Sequence, residues 1–169
     1  ATNCSGGIVG QLQVASKRMI CNDAELRGLS FSGSYSGGVF GNVNYNMSNP
    51  TSIEVTNSII ADNTFSGSWS GGISGDGKGI FRLVNVLIDG GTFNAKDQQG
   101  VLFGAAVATN MYELYAAGLD VRPGKDKTND DLPVLLRTNG VDVNDVNTKS
   151  YIAFGAYEDT LSEPRDKTL

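Results

Sequence analysis

The hydrophobic residues of this chain fall in short runs that end at a polar residue and recur along the sequence. The clearest run is Gly79–Asp89, which reads Gly-Ile-Phe-Arg-Leu-Val-Asn-Val-Leu-Ile-Asp. Its apolar positions are rich in β-branched residues and are too interrupted for an amphipathic helix, so they predict β-strands. Similar runs end at Asn22 and Asn57, and the run above contains Asn85 at the matching position. The pattern therefore predicts an all-β chain.

A glycine-rich segment lies between these strands and is repeated almost unchanged. Residues 31–41 and 65–75 agree at eight of eleven positions. A Gly-Gly pair followed by two residues and another glycine marks each copy, at 6–10, 37–41 and 71–75, with a decayed copy at 99–104. Counted from the second glycine of each pair, the copies are 31, 34 and 28 residues apart. Such a period is typical of a repeat architecture.

Short strands in each repeat predict a right-handed parallel β-helix of about four rungs with a less regular C-terminal segment. In such a solenoid, like residues stack on like residues in successive rungs. We expect an asparagine ladder at an inward turn, formed by Asn22, Asn57 and Asn85. We also expect an internal aromatic stack of Phe31, Phe65 and Phe93, and we expect Glu113 and Val121 to take the corresponding ladder and stack positions in a degenerate last rung.

The repeats divide the chain into three parts. Residues 1–122 are the predicted β-helical domain, residues 123–150 a polar loop or linker with one candidate strand, and residues 151–169 a terminal strand and a charged tail. The sequence begins in the last third of a repeat. Because an open sheet edge is a template for strand pairing, we expect a partner chain, a second copy or preceding residues to cover the N-terminal rung.

The amino-acid composition excludes or disfavours several classes of structure and function. With 22 glycines and four prolines, the chain suits strands and tight turns better than helices, in which an interior glycine costs about 1 kcal/mol relative to alanine. The net charge of −5 disfavours nucleic-acid binding, and no apolar run reaches the ~18 residues of a membrane span. The chain has no histidine, which excludes Ser-His-Asp catalysis and histidine-ligated metals. We predict no cofactor and no metal site.

Two cysteines, Cys4 and Cys21, have two alternative states. They could form one disulfide in a secreted protein or remain buried thiols, and the sequence leaves both open. The repeat alignment matches Cys4 with Tyr35 and Trp69, and it matches Cys21 with Thr56 and Val84. These positions favour structural roles for both cysteines.

Tyr35 and Trp69 are the candidates for contact with a ligand or partner. Each stands between two serines in the repeat. If the rings face outward, they form an aromatic step suited to a sugar ring or a partner surface; if they face inward, they belong to the core. The sequence leaves both orientations open.

The acidic residues have a structural and a chemical interpretation. Asp62 and Asp89 occupy nearly equivalent turn positions on adjacent rungs. Paired carboxylates are typical of β-helical polysaccharide lyases and hydrolases, but aspartate is also a common turn former, and we favour the turn. Further aspartates between residues 120 and 145 could attract calcium. Because the nonapeptide pattern of calcium-binding β-rolls is absent, we favour a solvated loop.

The Gly-Gly-Ile-Val-Gly sequence at 6–10 and the Met-Ile-Cys-Asn sequence at 19–22, with echoes at 37–57 and 71–85, resemble the GLUG repeat. That repeat occurs in large bacterial surface and secreted proteins, including IgA1-specific metallopeptidases and adhesin-like proteins. The resemblance covers residues 6–121 and implies a β-helical stalk or adhesive module that is extracellular or at the cell surface. The peptidase activity of such relatives resides in a separate domain with a His-Glu-x-x-His motif, which this chain lacks.

Together these observations predict a non-enzymatic structural or adhesive module of a larger extracellular protein or assembly. An alternative is a fragment of a carbohydrate-active β-helix enzyme that uses Asp62 and Asp89. A third hypothesis, compatible with the first, is a scaffold whose open rungs stack on partner chains.

Overall fold

The computed structural model describes residues 4–12, 18–43, 51–76, 79–94, 98–106, 112–128, 136–138 and 151–159. Every regular element within these ranges is a β-strand. The strands are β1 (Cys4–Gly6), β2 (Val9–Leu12), β3 (Arg18–Asn22), β4 (Glu25–Arg27), β5 (Ser30–Phe31), β6 (Tyr35–Gly37), β7 (Phe40–Val43), β8 (Ser52–Ala61), β9 (Thr64–Phe65), β10 (Trp69–Gly71), β11 (Ser74–Asp76), β12 (Gly79–Asp89), β13 (Thr92–Phe93), β14 (Gln98–Gly100), β15 (Phe103–Ala106), β16 (Tyr112–Arg122), β17 (Leu136–Thr138) and β18 (Tyr151–Phe154).

The strands form four parallel sheets in which neighbours come from successive turns of the chain. The first sheet has the order β1-β6-β10-β14 and the second the order β17-β15-β11-β7-β2. The third has the order β18-β16-β12-β8-β3, with β4 also paired to β8, and the fourth has the order β13-β9-β5. This topology is the parallel β-helix that the repeats predict. No helix capable of crossing a membrane occurs in the ranges given above.

The glycine-rich repeat sets the register of the first sheet. Gly6, Gly37, Gly71 and Gly100 lie opposite one another in successive strands. The sequence alignment matched Gly100 with Gly72 and is wrong by one residue, because the ladder between β10 and β14 pairs Gly100 with the first glycine of the pair.

The long strands of the third sheet each contain one residue that interrupts the alternation of inward and outward side chains. Asn57 and Asn85 have left-handed backbones, with φ of 47° and 51°. A residue of this kind shifts the alternation by one position, so inward-facing residues continue on both sides of it. In β8, for example, Val55 and Ser58 are both buried on either side of Asn57. Asp23 separates β3 from β4 in the same way, with φ of 56°.

The core is built from columns of apolar residues that are in register on neighbouring strands. One column contains Ile53, Phe81 and Leu114, all buried. The ring of Phe81 also packs against Phe103 from the second sheet, with the ring centres 4.5 Å apart. Because each turn buries its side chains against the turns before and after it, the hydrophobic core runs along the solenoid axis.

The C-terminal part of the chain adds two strands to the solenoid. The strand β17 pairs with β15 in the second sheet, and β18 pairs with β16 in the third. Residues 139–150 and 160–169 lie outside the described residues. Of the two segments expected to add strands, 132–136 lies outside the described residues except for Leu136, where β17 begins, and 151–157 contains β18.

Candidate functional site

The rings of Tyr35 and Trp69 form an outward-facing stack on the first sheet. The two residues are directly opposite each other on β6 and β10, and their ring centres are 4.5 Å apart with an interplanar angle of 28°. Both are half-buried, whereas the next residues along each strand, Ser36 and Ser70, are fully buried. Since successive side chains of a strand point to opposite faces, the aromatic rings lie on the outer face.

The glycine-rich corner explains why these rings cannot point inward. Here the first and second sheets approach each other to backbone contact. A Cβ atom placed on Gly75 of β11 would lie 2.5 Å from the backbone nitrogen of Ser36 on β6. The buried Ser36 hydroxyl donates a hydrogen bond to the carbonyl oxygen of Gly33 at 2.7 Å. The space between the sheets therefore accepts glycine and serine but no aromatic ring.

A thiol lies on the N-terminal side of the two stacked rings. Cys4 is opposite Tyr35 in the strand register, as the repeat alignment predicts. Burial raises the pKa of the Cys4 thiol, although a hydrogen bond from Asn42 lowers it in part. Cys21 lies in a different sheet and is opposite Val55, which pairs in turn with Leu83, so its alignment with Thr56 and Val84 is wrong by one residue. The structure holds both cysteines as thiols, and burial also raises the pKa of Cys21.

The asparagine ladder exists as a chain of side-chain hydrogen bonds on the third sheet. Asn85 Nδ2 donates to Asn57 Oδ1 at 3.0 Å, and Asn57 Nδ2 donates to Asn22 Oδ1 at 3.3 Å. The hydroxyl of Thr56 also donates to Asn22 Oδ1. The expected inward placement is wrong: Asn22 is exposed and the other two are half-buried. At Asn57 and Asn85 the left-handed backbone turns the side chain away from the core.

The three asparagines of the ladder do not all occupy equivalent positions in the strand register. Asn22 lies opposite Thr56, and the left-handed residue of the first turn is Asp23. At the other end, the predicted position Glu113 is wrong because Glu113 pairs with Ile80. The residues before and after Asn85 pair with the residues before and after Gly118, so Gly118 lies opposite Asn85. Gly118 has the same left-handed backbone, with φ of 63°.

A short segment after β18 covers this end of the ladder. We call residues 155–158 the strap. The backbone N–H of Gly155 donates to the carbonyl of Leu119, and the N–H of Tyr157 donates to Asp120 Oδ2 at 2.8 Å. The N–H of Glu158 donates to Asn85 Oδ1 at 2.9 Å, and Asn85 Nδ2 donates to the carbonyl of Glu158 at 2.7 Å. The strap could not be predicted from the sequence, because it makes these contacts with its own backbone groups.

The three phenylalanines stack as the sequence predicts. The ring centres of Phe31 and Phe65 are 5.2 Å apart, and those of Phe65 and Phe93 are 5.0 Å apart. Phe65 in the middle is 1% exposed, whereas Phe93 is half-buried. The stack does not continue at Val121, because that residue is paired with Ile88 in the third sheet rather than with the fourth sheet.

The paired aspartates lie close together at a corner. The N–H of Asp62 donates to the carbonyl of Asp89 at 3.0 Å, and Asp62 has a left-handed backbone with φ of 54°. Aspartate tolerates this conformation, which accounts for Asp62 as a turn former. Of the aspartates considered for calcium, Asp120 bonds Arg122 and the strap. Within the described ranges, no three acidic or cysteine side chains converge to hold a metal ion.

A mixed column on the outer face of the third sheet was not recognised from the sequence. Arg18 and Arg82 both pair with Glu54, at 2.8 Å and 3.2 Å, and the Arg18 hydrogen bond lowers the pKa of Glu54. The Arg82 guanidinium lies over the ring of Tyr115, 5.7 Å from its centre, and Tyr115 stacks on Tyr151 at 5.4 Å. The strand register would have revealed the column, since Glu54, Arg82 and Tyr115 are in line.

The first turn forms the N-terminal edge of the sheets. The strands β1, β2 and β3 each stand at the end of their sheet order. Ile8 is 49% exposed, whereas Val39, Ile73 and Leu102, which follow it along the same inward column, are almost fully buried. Ile8 therefore occupies a core position of the repeat, but the described residues of the first turn leave its side chain exposed.

Comparisons of the chain with protein-family models, with curated proteins and with solved structures found no match.

Proposed function

We propose that the chain is a non-enzymatic structural and adhesive β-helix module of a larger extracellular protein or assembly. The observation that carries the proposal is the outward stack of Tyr35 on Trp69. Together the two rings form a continuous strip, which we call the aromatic strip. The extracellular location rests on the resemblance of the repeats to the GLUG repeat.

The aromatic strip is suited to a sugar ring or to a flat partner surface. An aromatic face packs well against the C–H face of a sugar, and tyrosine and tryptophan also offer polar edges for hydrogen bonds. The backbone contact between the two sheets beneath the strip fixes the strands that carry the rings. A preformed site loses little conformational entropy on binding. We therefore propose glycans as the first ligand class to test.

The single tryptophan makes the test direct. Trp69 is the only tryptophan, so its fluorescence reports on this strip alone. We expect a glycan library to contain ligands that quench or shift the emission, and Tyr35→Ala to weaken their binding about tenfold or more. Tyr151→Ala removes an exposed aromatic ring from another sheet and is the matched control. Ligands that bind equally well to Tyr35→Ala would refute the strip as the adhesive surface.

The carbohydrate-active alternative depends on the two corner aspartates. Their closeness on adjacent turns is the only feature in its favour. Incubation with polysaccharides, followed by chromatography of the products, tests it. Cleavage by the native chain that is lost in both Asp62→Asn and Asp89→Asn would replace the adhesive proposal with an enzymatic one.

The proposed module also has a surface for partner chains at its first turn. The edge strands β1, β2 and β3 present backbone groups, and the core residue Ile8 lies beside them. Light scattering after size-exclusion chromatography tests association at this end. We expect Ile8→Asp to abolish it and Tyr115→Asp, at an exposed site on β16 away from this edge of the third sheet, to leave it unchanged.

A further inference from the structure

A groove runs along the outer face of the third sheet, in the direction of the solenoid axis. Its floor is a column of small, half-buried side chains in register on successive strands: Thr56, Val84, Ala117 and Ala153. Two positions earlier on the same strands is a column of longer side chains: Glu54, Arg82, Tyr115 and Tyr151. Because residues two apart on a strand share a face, the longer side chains form a wall beside the floor.

The opposite wall is formed by the asparagine ladder and the strap. A cleft of about 540 Å³ lies over the floor at Val84 and Ala117, and Asn57, Asn85 and the strap border it. This volume is within the usual range of sites for small molecules. We call the floor, its two walls and this cleft the axial groove.

The third sheet also carries most of the large hydrophobic side chains that are exposed. Of the six within the described part of the chain, four lie on strands of this sheet: Ile20, Tyr115, Tyr151 and Phe154. The rings of Tyr115 and Tyr151 stack on each other in the wall, and Phe154 borders the cleft. Exposed hydrophobic groups that cluster on one face mark an interaction site.

We propose that the axial groove binds a linear, neutral oligosaccharide that lies along the solenoid axis. The proposal rests on the adhesive function proposed above, but it does not depend on the aromatic strip, which belongs to another sheet. The floor crosses four neighbouring strands, and strands in a sheet are about 4.8 Å apart, so the floor is roughly 14 Å long. A ligand that follows it is therefore an extended chain rather than a single sugar.

The chemistry of the groove favours a sugar chain over a peptide. The strands β8, β12 and β16 are each paired on both sides, so they have no open edge to which a peptide could add as a further strand. The groove instead presents aromatic rings that suit the C–H faces of sugars, and hydroxyl and amide groups that donate and accept hydrogen bonds. Among the described residues, Asn57 Nδ2 uses one of its two N–H groups in the ladder, which leaves the other for a sugar hydroxyl.

The charges beside the groove favour a neutral chain over a charged one. The Glu54 carboxylate is shared by Arg18 and Arg82, at 2.8 Å and 3.2 Å. Glu158 of the strap lines the cleft and brings a second acidic residue to the groove. A polyanion would meet Glu158 and a polycation would meet two guanidinium groups, and like charges brought together in an interface cost free energy. A neutral ligand avoids both costs.

Calorimetric titration with neutral cello-, xylo-, manno- and chito-oligosaccharides of increasing length tests the proposal, with oligogalacturonates as the acidic comparison. Every chain carries Tyr35→Ala, so that the aromatic strip is disrupted throughout. We expect the affinity of at least one neutral series to rise with length until the oligosaccharide spans the groove, and then to level off. In NMR spectra, the methyl resonances of Ala117 and Ala153 should shift with the same ligand.

Two substitutions in the groove are added to this chain. Ala117→Gln fills the floor with a longer side chain, and Tyr151→Ala removes an exposed ring of the wall without touching the core. We expect each to weaken binding about tenfold or more. Ser52→Gln is the matched control, because Ser52 is on the outer face of the same sheet but on the far side of Glu54 from the floor. Circular dichroism confirms that each variant is folded.

The outcomes separate the groove from the aromatic strip. Failure of every neutral series to bind, or binding that is unchanged in folded Ala117→Gln and Tyr151→Ala chains, would overturn the proposal. Oligogalacturonates that bind more tightly than every neutral series would overturn it as well. An oligosaccharide that binds the native chain, is lost with Tyr35→Ala alone and is retained with Ala117→Gln alone belongs to the aromatic strip. That result would support the function proposed above and contradict the groove.

Discussion

Glu158 and Asn85 are joined by two hydrogen bonds, in which the backbone N–H and C=O of Glu158 pair with the side-chain amide of Asn85. The N–H of Glu158 is 2.9 Å from Asn85 Oδ1, and Asn85 Nδ2 is 2.7 Å from the Glu158 carbonyl. This pair connects the segment after the last strand, β18, to β12, two strands away in the third sheet. In this pair the last asparagine of the ladder bonds to backbone groups of the strap, which holds the strap on the C-terminal part of the solenoid.

The first prediction concerns the donor side of this pair. Asn85→Asp keeps the shape and tolerates the left-handed backbone, but it removes the N–H groups that reach Asn57 and Glu158. We expect a loss of about 1–3 kcal/mol in the free energy of unfolding and faster hydrogen exchange in residues 155–158. Asn94→Asp is the control, because Asn94 is exposed and is not a member of the asparagine ladder. Equal losses in both variants would contradict the role of Asn85.

The second prediction concerns the middle of the phenylalanine stack. Phe65 is 1% exposed and contacts an aromatic ring on each side. Phe65→Ala removes both ring contacts and leaves a cavity, so we expect a loss of about 3–5 kcal/mol in urea unfolding. Phe154→Ala is the matched control because that ring is 64% exposed, and we expect little change there. A loss below about 1 kcal/mol for Phe65→Ala would show that the stack collapses to fill the space.

The features that could be predicted from the sequence are those in which one residue type recurs at one place in every turn. The glycine pairs, the ladder asparagines and the stacked phenylalanines all have neighbours of their own kind in the structure. Stacking of identical turns makes this possible, because each residue's environment is then largely set by the same residue one turn away. For this reason, Phe31, Phe65 and Phe93 could be placed without knowledge of the fold's details.

The errors arise where a single residue changes the alternation of the strand. The alignment matches Asn22 with Asn57, but the left-handed residue of the first turn is Asp23, so Cys21 is matched with Thr56 instead of Val55. The left-handed backbones of Asn57 and Asn85 turn their side chains outward. The orientation of Trp69 depends on how closely two sheets approach at the corner, and the strap depends on backbone groups of residues far apart in the chain. Neither property is encoded in a local pattern.

The third prediction tests close backbone approach at the corner. A Cβ atom on Gly38 would lie 2.1 Å from the carbonyl oxygen of Gly72 on the next turn, although Gly38 has no unusual φ. Backbone atoms cannot move aside cheaply, so we expect Gly38→Ala to cost about 2 kcal/mol or more in thermal or urea unfolding. Gly28→Asn is the control, because nothing lies within 4 Å of a Cβ atom there and asparagine tolerates its φ of 64°. A stable Gly38→Ala variant would show that the corner can widen.

The fourth prediction concerns the response of the strap to acid. Asp120 accepts a hydrogen bond from Arg122, which is the main reason that its pKa is lowered, and a further one from the N–H of Tyr157. A carboxyl whose pKa is lower in the folded state stabilises the fold above its unfolded pKa of about 3.9, and this contribution is lost as the pH falls through the folded pKa.

We therefore expect the amide resonance of Tyr157 to be constant at neutral pH and to shift only below about pH 3.9, where protonation of Asp120 weakens its hydrogen bond to the strap. A pH titration followed by NMR measures the midpoint. Asp120→Asn keeps an oxygen that can accept the Tyr157 N–H but cannot titrate, so it should remove the transition. A midpoint above about 3.9 would contradict the stabilisation of the Asp120 carboxylate by Arg122, because the pKa would then be raised in the folded chain.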